Sequence, residues 1–322
     1  MTLPAKPSTE STKNRALHRY MEEIAEVHRL QPVVAAPAKK PHKLRNLVLF
    51  ATVLVSALYV LCSPLVAKDF YYKLLFPAAP YPLGYYDHNI VNGIVAKDVF
   101  FKTADNQLLH GWYFLKPGTK SLLLMHHGNG ANVSILQFYA ELALSSNASI
   151  FLYDYEGYGR SAGTPSIEGL GRDSNAAFEY MIEKENWKPS QIVNMGLSLG
   201  TGVASELSEK KNCAGTILIA PFTSIRRVSA GVLPFLSLYP DFLWAEHDLG
   251  SRNFISGKHH PVLILHGDGD QLVPFQNALD LKNMSSSPLE LVKLNCGHNN
   301  FGDDREIMEA SIKKFLTKVS RN

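Results

Sequence analysis

Cysteine is scarce in this chain, three in 322 residues, and Cys62, Cys213 and Cys296 form neither a CxxC pair nor a regular framework. That spacing excludes a structural zinc ribbon and a disulfide scaffold. A Cys213 to Cys296 bridge stays open, because spacing does not say whether two Cβ atoms approach. Charge of one sign is also missing: the formal net charge is +3, 19% of residues are charged, and no long basic face carries interleaved aromatics. Nucleic acid is therefore not expected as a partner. Nothing repeats at a fixed period, which excludes a solenoid. What the chain does have is 46% apolar content and length enough for an N-terminal extension and one domain with a substantial core.

Residues 1–45 are rich in Pro, Lys, Ala and Thr, and Pro32, Pro37 and Pro41 interrupt any long helix, so a mobile tail is expected. Within it, Asn14 to Leu30 puts Leu17, Tyr20, Ile24 and Val27 on one stripe and predicts a short helix. Leu47 to Val66 carries no charge over twenty residues. At the helical rise this is about 30 Å, the thickness of the hydrocarbon core, so one transmembrane helix is expected over 46–67. Pro64 suits its exit. Lys39, Lys40, Lys43 and Arg45 precede the span, whereas Lys68 and Lys73 follow it with Asp69 between. This bias predicts a single-pass protein with a cytoplasmic N-terminus and the remainder on the lumenal, periplasmic or extracellular side. Residues 68–94 read as a linker.

From about residue 95 the pattern becomes short apolar runs separated by helix-length segments, the rhythm of an α/β domain reaching to the C-terminus. Val95 to Lys102 and His110 to Leu115 read as an opening hairpin. Ser121 to His126, Ser149 to Asp154, Ile192 to Leu197, Gly215 to Ala220, Val262 to His266 and Leu289 to Leu294 read as further strands. Most are nearly continuous apolar runs, as strands of a parallel sheet covered on both faces should be. Helices are expected over Asn132 to Leu144, Ser166 to Glu185, Leu199 to Lys210, Phe275 to Asn283 and Asp303 to Val319.

The run Ile192 to Leu197 leads straight into Gly196-Leu197-Ser198-Leu199-Gly200. Two glycines around a serine permit a tight strand-to-helix turn that lifts the hydroxyl above a sheet, which makes Ser198 a candidate nucleophile. Serine needs a base as it attacks. His298, in Cys296-Gly297-His298 just past the last strand, is the best-placed histidine; His266 and the pair His126-His127 compete with it, each at a strand end before glycine. The orienting carboxylate is expected in His266-Gly267-Asp268-Gly269-Asp270, with Asp270 preferred and Asp268 in reserve, since spacing alone does not choose. The segment His127-Gly128-Asn129-Gly130 follows another strand, so the backbone amides of Asn129 and Leu199 are the expected oxyanion hole. No metal and no organic cofactor enters such a mechanism.

These segments, with Asp154-Tyr155-Glu156-Gly157-Tyr158-Gly159-Arg160-Ser161, Gly163-Thr164-Pro165-Ser166 and Ala220-Pro221-Phe222-Thr223-Ser224, resemble the α/β-hydrolase superfamily over about two-thirds of the chain. The similarity is to the branch holding membrane-associated abhydrolase-domain lysophospholipases, monoacylglycerol lipases and protein depalmitoylases. It implies an α/β-hydrolase fold over 95–322, a mostly parallel sheet flanked by helices, with a short apolar cap near 222–260. It also implies Ser198, Asp270 and His298 as the triad, favouring Asp270 over Asp268. Glu156 departs from the basic or small residue common at its position, which implies altered substrate selection near that loop. The expected partner is a membrane lipid or other acylated substrate. A peptidase or amidase and a catalytically idle membrane scaffold are the rival expectations.

Overall fold

In the computed structural model of the protein, residues 9–30, 42–78, 89–244 and 247–320 are described. The chain divides between Leu58 and Tyr59 into two units. The first holds helix α1 (Thr9–Leu30) and most of helix α2 (His42–Leu61). Helix α1 begins five residues before the expected Asn14, and Leu17, Tyr20, Met21 and Val27 on its apolar stripe are exposed. The parts of the expected tail at 1–8 and 31–41 lie outside the described residues.

Helix α2 is long and apolar enough to cross a membrane, and none of its residues is buried. Its bounds differ from the expected 46–67. It starts at His42, and it stops at Leu61 although the apolar run continues to Val66. The reason is local: the Ser63 hydroxyl donates to the Val60 carbonyl at 2.6 Å, and Pro64 has no N–H with which to extend the ladder. Residues 62–67 are turns.

The second unit is built on an eight-stranded sheet. In chain order the strands are β3 (Lys97–Lys102), β4 (Leu108–Phe114), β5 (Leu122–His126), β6 (Ser149–Tyr153), β7 (Ile192–Leu197), β8 (Gly215–Ile219), β9 (Val262–Gly267) and β10 (Leu289–Leu294). They follow a two-stranded hairpin, β1 (Ile90–Val91) and β2 (Ile94–Val95). Across the large sheet the order is β10-β9-β8-β7-β5-β6-β4-β3. The β3–β4 and β4–β6 pairs are antiparallel and the others parallel. Strands β3 and β4 join through a turn at Asn106 (φ 69°), where the Thr103 carbonyl accepts from the Asn106 N–H at 2.9 Å.

Both faces are covered. On one, helices α4 (Gln137–Ser145) and α10 (Arg305–Val319) pack over Leu123, Met125, Val193 and Met195. On the other, α5 (Ile167–Glu183) and α6 (Leu199–Lys210) pack over Leu122, Leu124 and Ile192. Consecutive β5 residues thus serve opposite cores, which is why its five residues are apolar or buried throughout. Two short helices, α8 (Arg252–Ser256) and α9 (Gln276–Met284), close the β9 end.

Three elements differ from expectation in instructive ways. The expected helix over Asn132 to Leu144 is split into a 3-10 turn (Val133–Ile135) and α4, because Asn132 caps Ser134 N–H at 3.0 Å while Val133 N–H is tied to Asp154 Oδ1 at 2.8 Å. The apolar part of the cap forms one short α-helix, α7 (Ile225–Val232), then 3-10 turns at Pro234–Leu238 and Asp241–Leu243; Pro234 and Pro240 interrupt anything longer. The segment read as a linker over 68–94 carries helix α3 (Lys68–Leu75), whose Tyr72 and Leu75 pack against the core, while residues 79–88 lie outside the described ones.

Strand β5 neighbours both β6 and β7, so the chain steps to one side of β5 and then crosses to the other. The loops after β5 and β7 consequently part above their C-terminal ends, where open α/β sheets form their crevice.

Candidate active site

Ser198 stands at that crevice, between β7 and α6. Its backbone is at φ 50° and ψ −117°, a conformation that L-residues rarely adopt, and its N–H is held by the Ile219 carbonyl at 2.9 Å. Glycine is required on both sides by contact. A Cβ on Gly196 would stand 2.4 Å from the Gly200 carbonyl oxygen, and one on Gly200 would stand 2.0 Å from the His126 carbonyl oxygen. Backbone cannot swing aside as a side chain can, so Gly200→Ala is expected to lower stability by about 3 kcal/mol or more in chemical unfolding of the solubilised protein. Gly171→Ala, where a Cβ meets nothing within 4 Å on a helix, is expected to be neutral or stabilising. Equal behaviour of the two variants would contradict the packing account of the turn.

His298 reaches Ser198 from the loop after β10. Its Nε2 lies 2.9 Å from Ser198 Oγ and its Nδ1 lies 2.7 Å from Asp270 Oδ2. A carboxylate only accepts, so the proton on the imidazole sits on Nδ1 and the Nε2 lone pair faces the serine hydroxyl. Asp270 is itself fixed: its Oδ1 accepts from the N–H groups of Leu272 at 2.9 Å and Val273 at 2.8 Å. Burial alone would raise the Asp270 carboxyl. The hydrogen bonds from His266, His298 and Val273, with the attraction of His298, outweigh that and hold it well below the ordinary carboxylate range.

The alternatives left open by spacing lie in different positions. Asp268 points outward and pairs with Lys293 Nζ at 3.0 Å. His266 Nε2–H donates to the Val273 carbonyl at 2.8 Å, with Asp270 Oδ2 at 3.4 Å, so it braces the loop that carries Asp270. His126 contacts the Tyr153 hydroxyl at 2.7 Å, and His127 Nδ1–H donates to the Gly128 carbonyl at 2.7 Å. Burial pushes the two down to about 3 and about 4, so both are neutral at pH 7. Cys213 and Cys296 are separate, buried thiols and form no bridge.

Asn129 follows β5 beside Ser198. Its side-chain amide donates to the Leu75 carbonyl at 3.2 Å and its carbonyl accepts from the Tyr158 hydroxyl at 2.8 Å. The side chain is thus turned toward α3. Leu199 is the first residue of α6, where a backbone N–H has no intrahelical acceptor and the helix dipole presents positive charge.

Two cavities meet at Ser198 and Asn129. One, of about 250 Å³, is lined by apolar side chains of the cap and the core, among them Leu199, Phe222, Leu236 and Trp244. Its remaining wall comes from Pro64, Tyr71, Tyr72, Leu74 and Leu75, which were not foreseen as site residues. Among the described residues that line it there is no carboxylate. The other cavity opens on the His298 side, between Gly130, Ala131, Tyr139 and Phe301. Glu156 lines neither. It is buried, with its N–H on Asp173 Oδ2 at 2.9 Å and its Oε1 3.5 Å from Arg172. Burial, with the neighbouring Glu156 charge, raises the Asp173 carboxyl. The pair braces the Gly157 to Gly163 loop, so the expected influence of Glu156 on substrate choice has no direct contact behind it.

The family described as Hydrolase_4, serine aminopeptidase S33, matches residues 117–249. The alpha/beta hydrolase domain-containing protein 17C of Mus musculus is 31% identical over 230 residues, covering 69% of this chain and 68% of its own length. An uncharacterized protein of Mycobacterium tuberculosis is 34% identical over 232 residues, 70% of this chain and 80% of that one. Among solved structures, an esterase of Pyrococcus furiosus superposes with a TM-score of 0.63 at 19% identity, over 75% of this chain and 97% of the esterase. An alpha-beta hydrolase of Vibrio vulnificus superposes with a TM-score of 0.56 at 19% identity, over 69% and 80%. The chain belongs to the α/β-hydrolase superfamily, in its abhydrolase-domain branch.

Proposed function

We propose that the protein is a membrane-anchored serine hydrolase that cleaves acyl ester or thioester bonds of lipid-like substrates. The observation that carries this reading is the hydrogen-bonded chain from Ser198 Oγ through His298 to Asp270, at the floor of an apolar cavity. Ser198 Oγ attacks the acyl carbon as its proton passes to His298 Nε2, and the Asn129 and Leu199 amides hold the oxyanion. The intermediate collapses when His298 returns that proton to the leaving oxygen or sulfur, leaving an acyl-enzyme. Water, deprotonated by the same imidazole, then releases the acid and restores the serine. Asp270 keeps the proton on Nδ1 in the resting state and stabilises the imidazolium that forms. The acyl chain occupies the apolar cavity, and the leaving group lies on the His298 side.

The aminopeptidase description of the matching family suggests amide substrates with a free amine. An ammonium group needs an anionic partner when desolvated, and the described residues that line the two cavities are mostly apolar and include no carboxylate. The ester reading is therefore favoured. Helix α2 serves as the anchor, with the basic residues before it directing the N-terminus to the cytoplasm.

A panel of p-nitrophenyl esters, acyl thioesters and aminoacyl anilides tests this. Lengthening the acyl chain from two to eight carbons is expected to raise kcat/KM at least about tenfold, since each buried methylene contributes about 0.8 kcal/mol. Anilides are expected to turn over at least about a hundredfold more slowly than the esters. A preference for aminoacyl anilides, or for the two-carbon ester, would contradict the proposal.

A further inference from the structure

The apolar cavity has two walls from distant parts of the chain. One is the segment that follows α2, through Pro64, Tyr71 and Leu74; the other is the cap, through Leu233, Leu236 and Trp244. The two are fastened directly. The Leu65 N–H donates to the Leu243 carbonyl at 2.8 Å, the Tyr59 hydroxyl donates to the Leu238 carbonyl, and the Tyr59 and Tyr239 rings stack at 4.7 Å. Outside this seam lies one apolar surface contributed by both walls: Val66, Phe70 and Leu74 from the first, Phe235, Leu238 and Phe242 from the second. Leu238 is 68% exposed and Phe242 75%, the most exposed large apolar residues among the described residues of the second unit. A surface of this kind calls for an occupant.

We propose that this collar lies within the lipid leaflet and that the acyl cavity opens into it, so that the substrate's acyl chain enters laterally from the bilayer. The inference rests on the membrane-anchored hydrolase reading above. Three observations select a leaflet as the occupant. The collar follows the last turn of α2, and the five residue steps from Leu61 to Val66 span at most about 18 Å. Tyr59, Tyr71, Tyr239 and Trp244 gather along the seam, and such side chains, apolar with one polar tip, favour the level of lipid headgroups. The collar also shares Leu74 with the cavity lining. A chain entering there passes from hydrocarbon to an apolar cavity without crossing water. Its carbonyl end leads to Ser198, with the leaving group on the His298 side and the chain trailing toward the collar.

The test uses the full chain in phosphatidylcholine vesicles. In a Cys62→Ser background, an environment-sensitive fluorophore is attached at Phe242→Cys or, on the exposed side of α10, at Lys313→Cys. Doxyl-labelled lipids are expected to quench the first at least about threefold more than the second. Equal quenching, or none at position 242, would overturn the proposal and leave the collar to a protein partner. A second arm uses Leu238→Ser combined with Phe242→Ser, neither of which lines the cavity. Hydrolysis of a long-chain ester held in vesicles is expected to fall about tenfold, with hydrolysis of soluble p-nitrophenyl acetate within about twofold of wild type. Parallel loss of both activities, or of neither, would overturn it. A wild-type protein with no p-nitrophenyl acetate hydrolysis defeats the hydrolase reading instead, and quenching at position 242 still decides the place of the collar.

Discussion

Replacing Asp270 by Asn is expected to lower turnover by roughly 10³–10⁴-fold while leaving the fold in place. The side chain keeps its size, and Asn Oδ1 still accepts from the Leu272 and Val273 N–H groups. What changes is the atom opposite His298 Nδ1. An amide nitrogen there donates, so the imidazole must accept at Nδ1 and carry its proton on Nε2, the atom 2.9 Å from Ser198 Oγ. The base then has no lone pair to offer. Asp268→Asn, which alters only the pairing with Lys293, is expected to stay within about twofold of wild type. Asp270 also has a signature in acid. Its folded-state pKa is held below the unfolded value of about 3.9, so the stability it contributes is present above that pH and is lost as pH falls toward the folded value. The stability difference between wild type and Asp270→Asn should accordingly shrink in acid. A difference that grows there, or equal turnover of the Asp268 and Asp270 variants, would contradict the assigned role.

Ser198→Ala is expected to remove turnover by at least roughly 10³-fold, since it deletes the atom that attacks. Position 198 also separates chemistry from conformation. Its φ of 50° with ψ of −117° is unfavourable for any residue with a Cβ, at about 1–3 kcal/mol. Alanine retains that strain and glycine relieves it. Ser198→Gly is therefore expected to be more stable than Ser198→Ala by about 1 kcal/mol, although the two are equally inactive. Thermal unfolding of the two variants in the same detergent measures the difference; an alanine variant as stable as the glycine one would show that the turn holds no strain.

The convergence of Ser198, Asp270 and His298 was legible because each lies in the loop or turn that directly follows a strand-like run. A strand covered on both faces has no polar side, so β5, β7 and β9 stand out, whereas the edge strand β10 carries Glu290 and Lys293; the loops that follow all four meet at one edge of the sheet. Loop length did not distinguish Asp268 from Asp270, because adjacent turns in a glycine-rich loop aim either carboxylate inward; the bonds to Leu272, Val273 and His298 make that distinction in space. The end of α2 was misplaced for a related reason. Apolar composition runs on past Leu61, whereas the helix ends on the Ser63 hydroxyl and Pro64. Least legible was the cavity wall from Pro64 to Leu75, a segment that read as a connection. Its role arises from pairing with residues about 180 positions away, such as Leu65 with Leu243, and no local periodicity carries such a contact. The one local clue was Tyr71, Tyr72, Leu74 and Leu75, broken only by Lys73, soon after the span, more apolar surface than a solvated linker needs.

The most direct test of the account is reaction of the purified, detergent-solubilised protein with a fluorophosphonate, followed by intact mass and peptide mapping. One adduct per chain, located on Ser198 and absent from folded Ser198→Ala, is the predicted result, because only a serine activated by His298 attacks phosphorus readily. An adduct that persists in Ser198→Ala, or folded wild-type protein that takes up none, would contradict the assignment of Ser198 as the nucleophile.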